Sequence, residues 1–164
     1  MAILKKANVF LIRVDTSRKN YVPSKFPDTP GKPIFAEDVI LHNRYKLDNP
    51  DHEMLAEFQR VKNGDYLIVF CSSLVPACPN QIKYIFTVAS KIQNQLVLKI
   101  HTRLHRGYTL DHVRSLVEEG KLSRKMLNCE VKGFKICEVE FSDLELLVNY
   151  DPIVRTYHSS SWKT

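Results

Sequence analysis

Basic and aromatic side chains are interleaved between Thr16 and Pro33, in a segment that reads TSRKNYVPSKFPDTPGKP. Side chains such as Arg18, Lys19 and Lys25 bind phosphates, and a ring such as that of Tyr21 stacks on an exposed base. The four prolines of the segment interrupt any regular helix or strand. We therefore predict a long basic loop over residues 16–33. It either contacts nucleic acid or is solvated, with its rings folded back on the core.

Residue patterns that mark common catalytic sites are missing. The sequence has no GxxxxGK[ST] phosphate loop, no GxGxxG, no HExxH and no GxSxG. Six residues separate Cys71 from Cys78, and seven separate Cys129 from Cys137. Structural zinc sites favour cysteine pairs about two to four residues apart. The sequence therefore predicts buried free thiols, with no catalytic residue, no metal and no cofactor.

The overall composition is that of an ordinary globular chain. At 164 residues, of which 44% are hydrophobic and 26% are charged, it is long enough to bury a core as one domain. No apolar run approaches the roughly 18 residues of a membrane span, and the first residues lack a signal-peptide cleavage site. We expect a cytoplasmic protein with no membrane partner. The net charge of +6 is compatible with a polyanionic partner.

Strand patterns centre on an apolar run at residues 66–70, which follows the turn signal at residues 63–65. A run this short, bounded by turn residues, is typical of a strand buried on both faces. Pro76 and Pro79 then interrupt the pattern, so a loop is expected before two further strands complete an antiparallel meander. The predicted strands are residues 8–15, 66–70, 82–88, 96–100, 129–131 and 134–136.

Three segments have the period of an amphipathic helix. The predicted helices are residues 52–61, after the capping sequence Asp48-Asn49-Pro50-Asp51, residues 111–119, and residues 141–150 with Ser142 as cap. Residues 35–41 fit either a helical turn or a short strand. Together the elements predict an α+β domain over residues 1–150, with a curved, mostly antiparallel sheet of five or six strands flanked by helices. Residues 151–164 are then a C-terminal tail or linker.

The order of these elements resembles the PUA-like superfamily, and within it the EVE-like and YTH-like domains. VKNGDYLIVFCSS is similar to the strand that follows the first helix of those domains, and KICEVEFSDLELLV is similar to their closing segment. The resemblance covers residues 8–150 and implies a PUA-like or EVE-like open barrel. It also implies a module that holds a modified, flipped base in a pocket of aromatic and small polar side chains.

The resemblance implies site residues at the positions of this sequence that offer such side chains. Candidates for the base pocket are Tyr21, Phe35, His42, Asn43, Tyr45, Cys71, Ser72, Ser73 and Tyr84. Candidates for binding phosphates are Arg18, Lys19, Lys25, Arg44, Arg103 and Arg106. Because flipping a base costs a few kcal/mol of unstacking, contacts in the pocket must offset about that amount.

Some domains of this kind stand at the N-terminus of McrB-type subunits of modification-dependent restriction systems. The resemblance therefore implies a non-catalytic module that binds DNA with a methylated base by base flipping. It also implies a GTPase motor in the same full-length chain and a nuclease subunit as partners. Three alternatives stay open. The first is a PUA-like RNA-binding domain, the second is an ASCH-like hydrolase of modified nucleosides that uses Lys83 and Glu140, and the third is a protein-interaction domain.

Overall fold

A computed structural model describes residues 4–22, 33–47, 51–73, 75–76, 79–131 and 133–149 of the protein. The strands are β1 (Val9–Val14), β2 (Arg44–Lys46), β3 (Tyr66–Cys71), β4 (Gln81–Ile92), β5 (Gln95–Thr109) and β6 (Ile136–Val139). The α-helices are α1 (His52–Gln59), α2 (Leu110–Glu118) and α3 (Phe141–Asn149). Short 3₁₀ helices span Arg18–Asn20 and Arg124–Glu130, and a π-helix spans Glu37–Leu41. The expected tail at residues 151–164 lies outside the described residues.

These six strands form one mixed sheet in the order β2-β5-β4-β3-β1-β6. Strands β1 and β3 are parallel, and all other neighbours are antiparallel. Register shifts in the β3–β4 and β4–β5 ladders mark irregularities at which strands bend and twist. The predicted fold class, an α+β protein with a curved and mostly antiparallel sheet, is confirmed, and so is the meander β3-β4-β5.

The sheet is buried on both faces because its central strands β1 and β3 are apolar at almost every position. Phe10 and Leu67 belong to a core cluster on one face, whereas Leu11 and Ile68 belong to a cluster on the other. Helix α1 contributes Phe58 to the first cluster, and helices α2 and α3 pack into the second. All six residues of β3 are buried, which confirms the prediction of a strand buried on both faces.

Two predicted elements were wrong. The strand predicted at residues 96–100 was too short, because β5 runs from Gln95 to Thr109. Residues 129–131, expected as a strand, fall largely within the 3₁₀ helix Arg124–Glu130. That helix buries Met126 and Cys129, and a spacing of three places two side chains on one side of a 3₁₀ helix.

Helix starts agree with the predicted positions to within one residue, and the cap of α1 belongs to the predicted capping sequence. The cap of α1 is Asp51, whose carboxylate accepts from the Met54 N–H at 2.8 Å; residues 48–50 lie outside the described residues. At the start of α3 the cap is Asp143 instead of Ser142. The Asp143 carboxylate accepts from the Glu140 N–H at 3.0 Å, which satisfies a donor that the helix itself leaves unpaired.

Candidate nucleic-acid interface

A cavity of about 260 Å³ lies where β1 and β3 end. Three segments form its walls: the turn after β1, the π-helix and the loop after β3. Its lining residues are Ser17, Lys19, Ala36, Glu37, Ile40, Leu41, Val75 and Pro76. The volume is close to the lower limit of about 300 Å³ for small-molecule sites.

Hydrogen bonds hold these three segments against the strand ends. The Ala36 N–H donates to the Thr16 carbonyl at 2.8 Å, and the Ser72 N–H donates to the Val14 carbonyl at 2.9 Å. The Ser72 hydroxyl also donates to the Asp15 carbonyl at 2.5 Å, which joins the loop after β3 to the turn after β1. These hydrogen bonds join the cavity walls to the ends of the sheet.

The hydroxyl of Ser17 is buried in the cavity wall and has no hydrogen-bond partner among the described residues. Ser17 is only 6% exposed, and the same wall contains Ala36, Ile40 and Val75. A buried hydroxyl without a hydrogen bond costs about 1–3 kcal/mol. Because native proteins leave few such groups unsatisfied, this one calls for an explanation, and a ligand that completes the hydrogen bond provides one.

The π-helix has a buried side chain at its centre and a backbone hydrogen bond at its end. Val39 is fully buried, and the His42 N–H donates to the Glu37 carbonyl at 2.9 Å. Asn43 then adopts a left-handed conformation with φ of 54° and turns the chain into β2. Single-turn π-helices are rare and often occur at functional sites.

Arg18 links the turn after β1 to the π-helix through hydrogen bonds, and it also makes a ring contact. Its Nη2 donates to both carboxylate oxygens of Asp38, at 3.0 and 2.9 Å. Its guanidinium lies 4.5 Å from the ring centroid of Phe35, and Tyr21 meets the same ring edge-on at 5.3 Å. Arg18 also donates its backbone N–H to Glu37 Oε2 at 3.0 Å. Arg18, predicted to bind phosphate, is thus engaged by Asp38 and positions two of the cavity walls.

No protein-family model matches the sequence, and a search of curated proteins found no match. Among solved structures, the crystal structure of human THYN1 protein in complex with 5-methylcytosine-containing DNA superposes with a TM-score of 0.60. The two chains are 12% identical, and the match covers 89% of this chain and 98% of that chain. The chain has a PUA-like, EVE-like fold. At this level of identity the likeness shows the fold alone, so any ligand must be argued from the cavity and its surroundings.

The cavity at the ends of β1 and β3 adjoins two of the predicted base-pocket residues in sequence. Within the described part of the chain, none of those nine residues lines it, although Phe35 and His42 each adjoin a lining residue in sequence. His42 and Asn43 are exposed at the end of the π-helix. Tyr45 is fully buried and stacks on Phe58 in the core. Tyr84, at 8% exposure, is also a core residue.

The three predicted pocket residues at the end of β3 have separate roles. Cys71 is buried and disulfide-bonded. Ser72 is buried and bonded to the backbone, and Ser73 is exposed. The prediction of a free thiol was therefore wrong for Cys71.

The thiols of Cys129 and Cys137 are free. Burial raises the pKa of the Cys129 thiol to about 12. Burial also raises the pKa of the Cys137 thiol, against a hydrogen bond from Asn128 that lowers it. Both thiols are therefore protonated at neutral pH and lack the thiolate character of a nucleophile.

The predicted phosphate contacts lie in three places. Lys19 lines the cavity itself, Arg44 is exposed on the edge strand β2, and Arg103 and Arg106 are exposed on β5. Lys25 lies outside the described residues. The charges on β2 and β5 follow the edge of the sheet opposite to β6.

Arg103 is near the end of the sheet at which the cavity lies. It pairs with Tyr84 of β4, which in turn pairs with Val69, two residues before the end of β3. Its guanidinium lies 5.9 Å from the ring centroid of Tyr84. After Arg103, the register of the β4–β5 ladder shifts. Arg106 lies in this irregular stretch and is exposed. Two of the predicted phosphate ligands therefore lie along one strand that leads toward the cavity.

The cavity residues that the sequence did not reveal are Ser17, Ala36, Glu37, Ile40, Leu41 and Val75. One signal was present, because small polar residues directly follow the apolar run of β1. The loop that contains Pro76 was predicted from its prolines, and loops often carry functional sites.

A second cavity, of about 800 Å³, lies between α1 and β6. Its charged lining consists of five carboxylates and two cations: Asp51, Glu53, Glu57, Glu138, Glu140, Arg60 and Lys125. An excess of carboxylates repels phosphates. The larger cavity is therefore a poor candidate for binding nucleic acid.

Within the ranges that the structure describes, no group of three or more His, Cys, Asp or Glu side chains is placed to hold a metal ion. None of the helices described is both long enough and apolar enough to span a membrane.

Proposed function

We propose that the protein is a non-catalytic reader of modified nucleic acid, with DNA favoured, that takes a methylated base into the cavity beside Ser17. The observation that carries this proposal is the buried, unsatisfied hydroxyl of Ser17 in a largely apolar wall. The PUA-like fold supports it, since THYN1, which shares that fold, is in complex with 5-methylcytosine-containing DNA in its crystal structure.

The cavity offers a flipped base both apolar and polar contacts. Unstacking and unpairing a base costs a few kcal/mol. Ile40, Val75 and Pro76 supply apolar contacts, and a methyl group gains about 0.8 kcal/mol by leaving water. A base edge bonded to Ser17 relieves an unsatisfied group that costs about 1–3 kcal/mol. Because the Ser17 oxygen is screened from water, we expect it to rotate about the Cα–Cβ bond on binding.

Glu37 suggests which bases the cavity accepts. Glu37 is one of the lining residues, and its carboxylate accepts a hydrogen bond from the Arg18 backbone N–H at 3.0 Å. Carboxylates accept hydrogen bonds from the exocyclic amino group of cytosine. We therefore propose that a base with an exocyclic amino group, cytosine first, is preferred to thymine or uracil.

We assign the predicted basic side chains to the sugar-phosphate backbone. They are Lys19, Arg44, Arg103 and Arg106, and Lys25 stays an expectation outside the described residues. Each phosphate neutralised on a duplex adds roughly 0.9 to the slope of log affinity against log salt. The affinity is therefore expected to fall steeply as salt is raised from about 50 to 200 mM.

For the biological setting, we propose a modification-dependent restriction system of the McrB type, with a GTPase motor and a nuclease subunit as partners. The support is the PUA-like fold together with the missing catalytic motifs. Affinity purification from the native cell tests this setting. If neither a GTP-hydrolysing protein nor a nuclease is recovered, the proposed biological setting is refuted. The proposal that the chain binds modified bases is not affected by that result.

The reader is tested by titrating duplexes with one central 5-methylcytosine or cytosine at two salt concentrations. The methyl group is expected to tighten binding about fourfold, which corresponds to about 0.8 kcal/mol. Ser17→Ala is expected to weaken binding of the methylated duplex about tenfold. Ser115→Ala, at an exposed serine of α2, is the matched control and should bind like the wild type. No binding to either duplex at low salt would eliminate the proposal.

The same preparation separates the alternatives. If single-stranded RNA of the same sequence displaces the DNA at equal concentration, the chain is an RNA-binding PUA-like domain. Release of a free base from a methylated nucleoside would identify a hydrolase. The structure offers little for that chemistry, because Glu140 lines the α1–β6 cavity and pairs with Lys125 at 3.2 Å, whereas Lys83 lines neither cavity.

A further inference from the structure

Leu41 is a large apolar side chain that is exposed on the surface. It is 70% exposed, ends the π-helix and lines the cavity with Ile40, Val75 and Pro76. Single exposed leucines are common on protein surfaces. This one is distinguished by its place on the wall of the cavity that we assign to a flipped base.

The backbone that carries Leu41 is fixed on both sides. Two residues before it, Val39 is fully buried in the core. Two residues after it, the Asn43 carbonyl accepts from the Leu98 N–H of β5 at 2.8 Å. A side chain held in place before binding loses little conformational freedom when it makes a contact.

We propose that Leu41 is an intercalating wedge, which enters the base stack at the position that the modified base vacates when it turns into the cavity. Apolar side chains, leucine among them, enter between base steps in proteins that unstack or kink DNA. Leu41 thereby replaces part of the stacking contact that flipping removes. This inference rests on the proposed function and adds to it a preference for paired over unpaired strands.

The test compares Leu41→Ala with the wild type on two probes: a duplex with one central 5-methylcytosine, and the same methylated strand alone. A wedge acts only where there is a stack to enter. The expected loss of affinity is about tenfold on the duplex and less than about twofold on the single strand. Leu41→Phe keeps a large apolar side chain and should retain most of the duplex affinity. A 2-aminopurine beside the target reports unstacking, and its rise in fluorescence on binding should be smaller with Leu41→Ala.

Ile92→Ala is the matched control, because Ile92 is 65% exposed at the end of β4 and lines neither cavity. It should change neither affinity. An equal loss for Leu41→Ala on both probes would make Leu41 a cavity wall only, and would overturn the wedge while the reader stands. Wild-type binding to the single strand but not to the duplex would also overturn the wedge. If the wild type shows no preference for the methylated over the unmethylated single strand, the proposed function fails, and the wedge fails with it.

Discussion

Ser17→Ala is expected to make the protein more stable although it weakens binding. The Ser17 side chain is buried at 6% exposure, and its oxygen has no hydrogen-bond partner among the described residues. Removing an unsatisfied buried hydroxyl recovers about 1–3 kcal/mol. We expect about 1 kcal/mol, the lower end, because the hydroxyl borders a cavity into which its surroundings relax. For a chain of this length, that gain raises the midpoint of thermal unfolding by about 2–4 °C.

A second buried serine gives the matched comparison. Ser72 is 4% exposed, and its hydroxyl donates to the Asp15 carbonyl at 2.5 Å. Ser72→Ala removes the same atom but also removes the hydrogen bond that joins the loop after β3 to the turn after β1. We therefore expect the free energy of unfolding to fall by about 1–2 kcal/mol. Urea denaturation measures both changes, provided that the slope against urea is the same for the two variants.

Both variants remove a serine Oγ atom, but only that of Ser72 is hydrogen-bonded. The informative result is therefore whether each variant raises or lowers the free energy of unfolding. If Ser17→Ala lowers the free energy of unfolding as much as Ser72→Ala does, the Ser17 hydroxyl has a partner in solution. The argument that a base must complete its hydrogen bond would then be refuted, whatever the variant does to binding.

Two further predictions concern stability. Gly107→Ala should lower the free energy of unfolding by more than about 2 kcal/mol, because φ is +76° and a Cβ would lie 2.5 Å from the Ile82 carbonyl oxygen; Gly120→Ala, with φ of +74° and no atom within 4 Å, should lose only about 1 kcal/mol. Equal losses in chemical denaturation would contradict the close contact. Lys91 donates to two carbonyls at the C-terminal end of α1, at 2.7 and 3.1 Å, so Lys91→Met should lose about 1.5 kcal/mol at neutral pH. Desolvation lowers the pKa of Lys91 below its usual 10.5. The folded protein therefore loses this proton before the unfolded chain does, and the stability of the wild type relative to Lys91→Met should rise with pH between that lowered pKa and 10.5. A pH-independent difference in urea denaturation would contradict this.

The elements most accurately predicted from the sequence are those fixed by local chemistry. The turn before β3 needs a residue at positive φ, which Gly64 supplies at +91°. Asp65 then accepts from the Lys62 N–H at 2.8 Å and from the Asn8 N–H at 3.2 Å. The apolar run that follows has no polar face to expose. These features leave a buried strand as the single consistent interpretation, and the antiparallel meander follows from the short connections after it.

The cavity was not predictable in the same way, because its walls come from three distant segments. Ser17, Ile40 and Val75 meet only because β1 and β3 are parallel neighbours that end together. That pairing joins strands about fifty residues apart, and no local pattern specifies it. The sequence also favoured large rings as pocket walls. Tyr45 and Tyr84 instead bury their rings in the core, where aromatic side chains contribute most through the area they bury.

The distribution of charge gives the domain a polarity that net charge alone does not show. The net charge is +6, yet the cavity between α1 and β6 carries an excess of carboxylates. Part of this acidity is structural, because Glu57 Oε2 accepts from the Glu138 N–H at 3.1 Å and so covers the open edge of β6. Strand β6 forms one edge of the sheet, whereas β2 and β5, which carry Arg44, Arg103 and Arg106, lie toward the other. Under the proposed function, this distribution of charge would repel a phosphate backbone from one edge and attract it to the other, and would so orient an approaching duplex before a base enters the cavity.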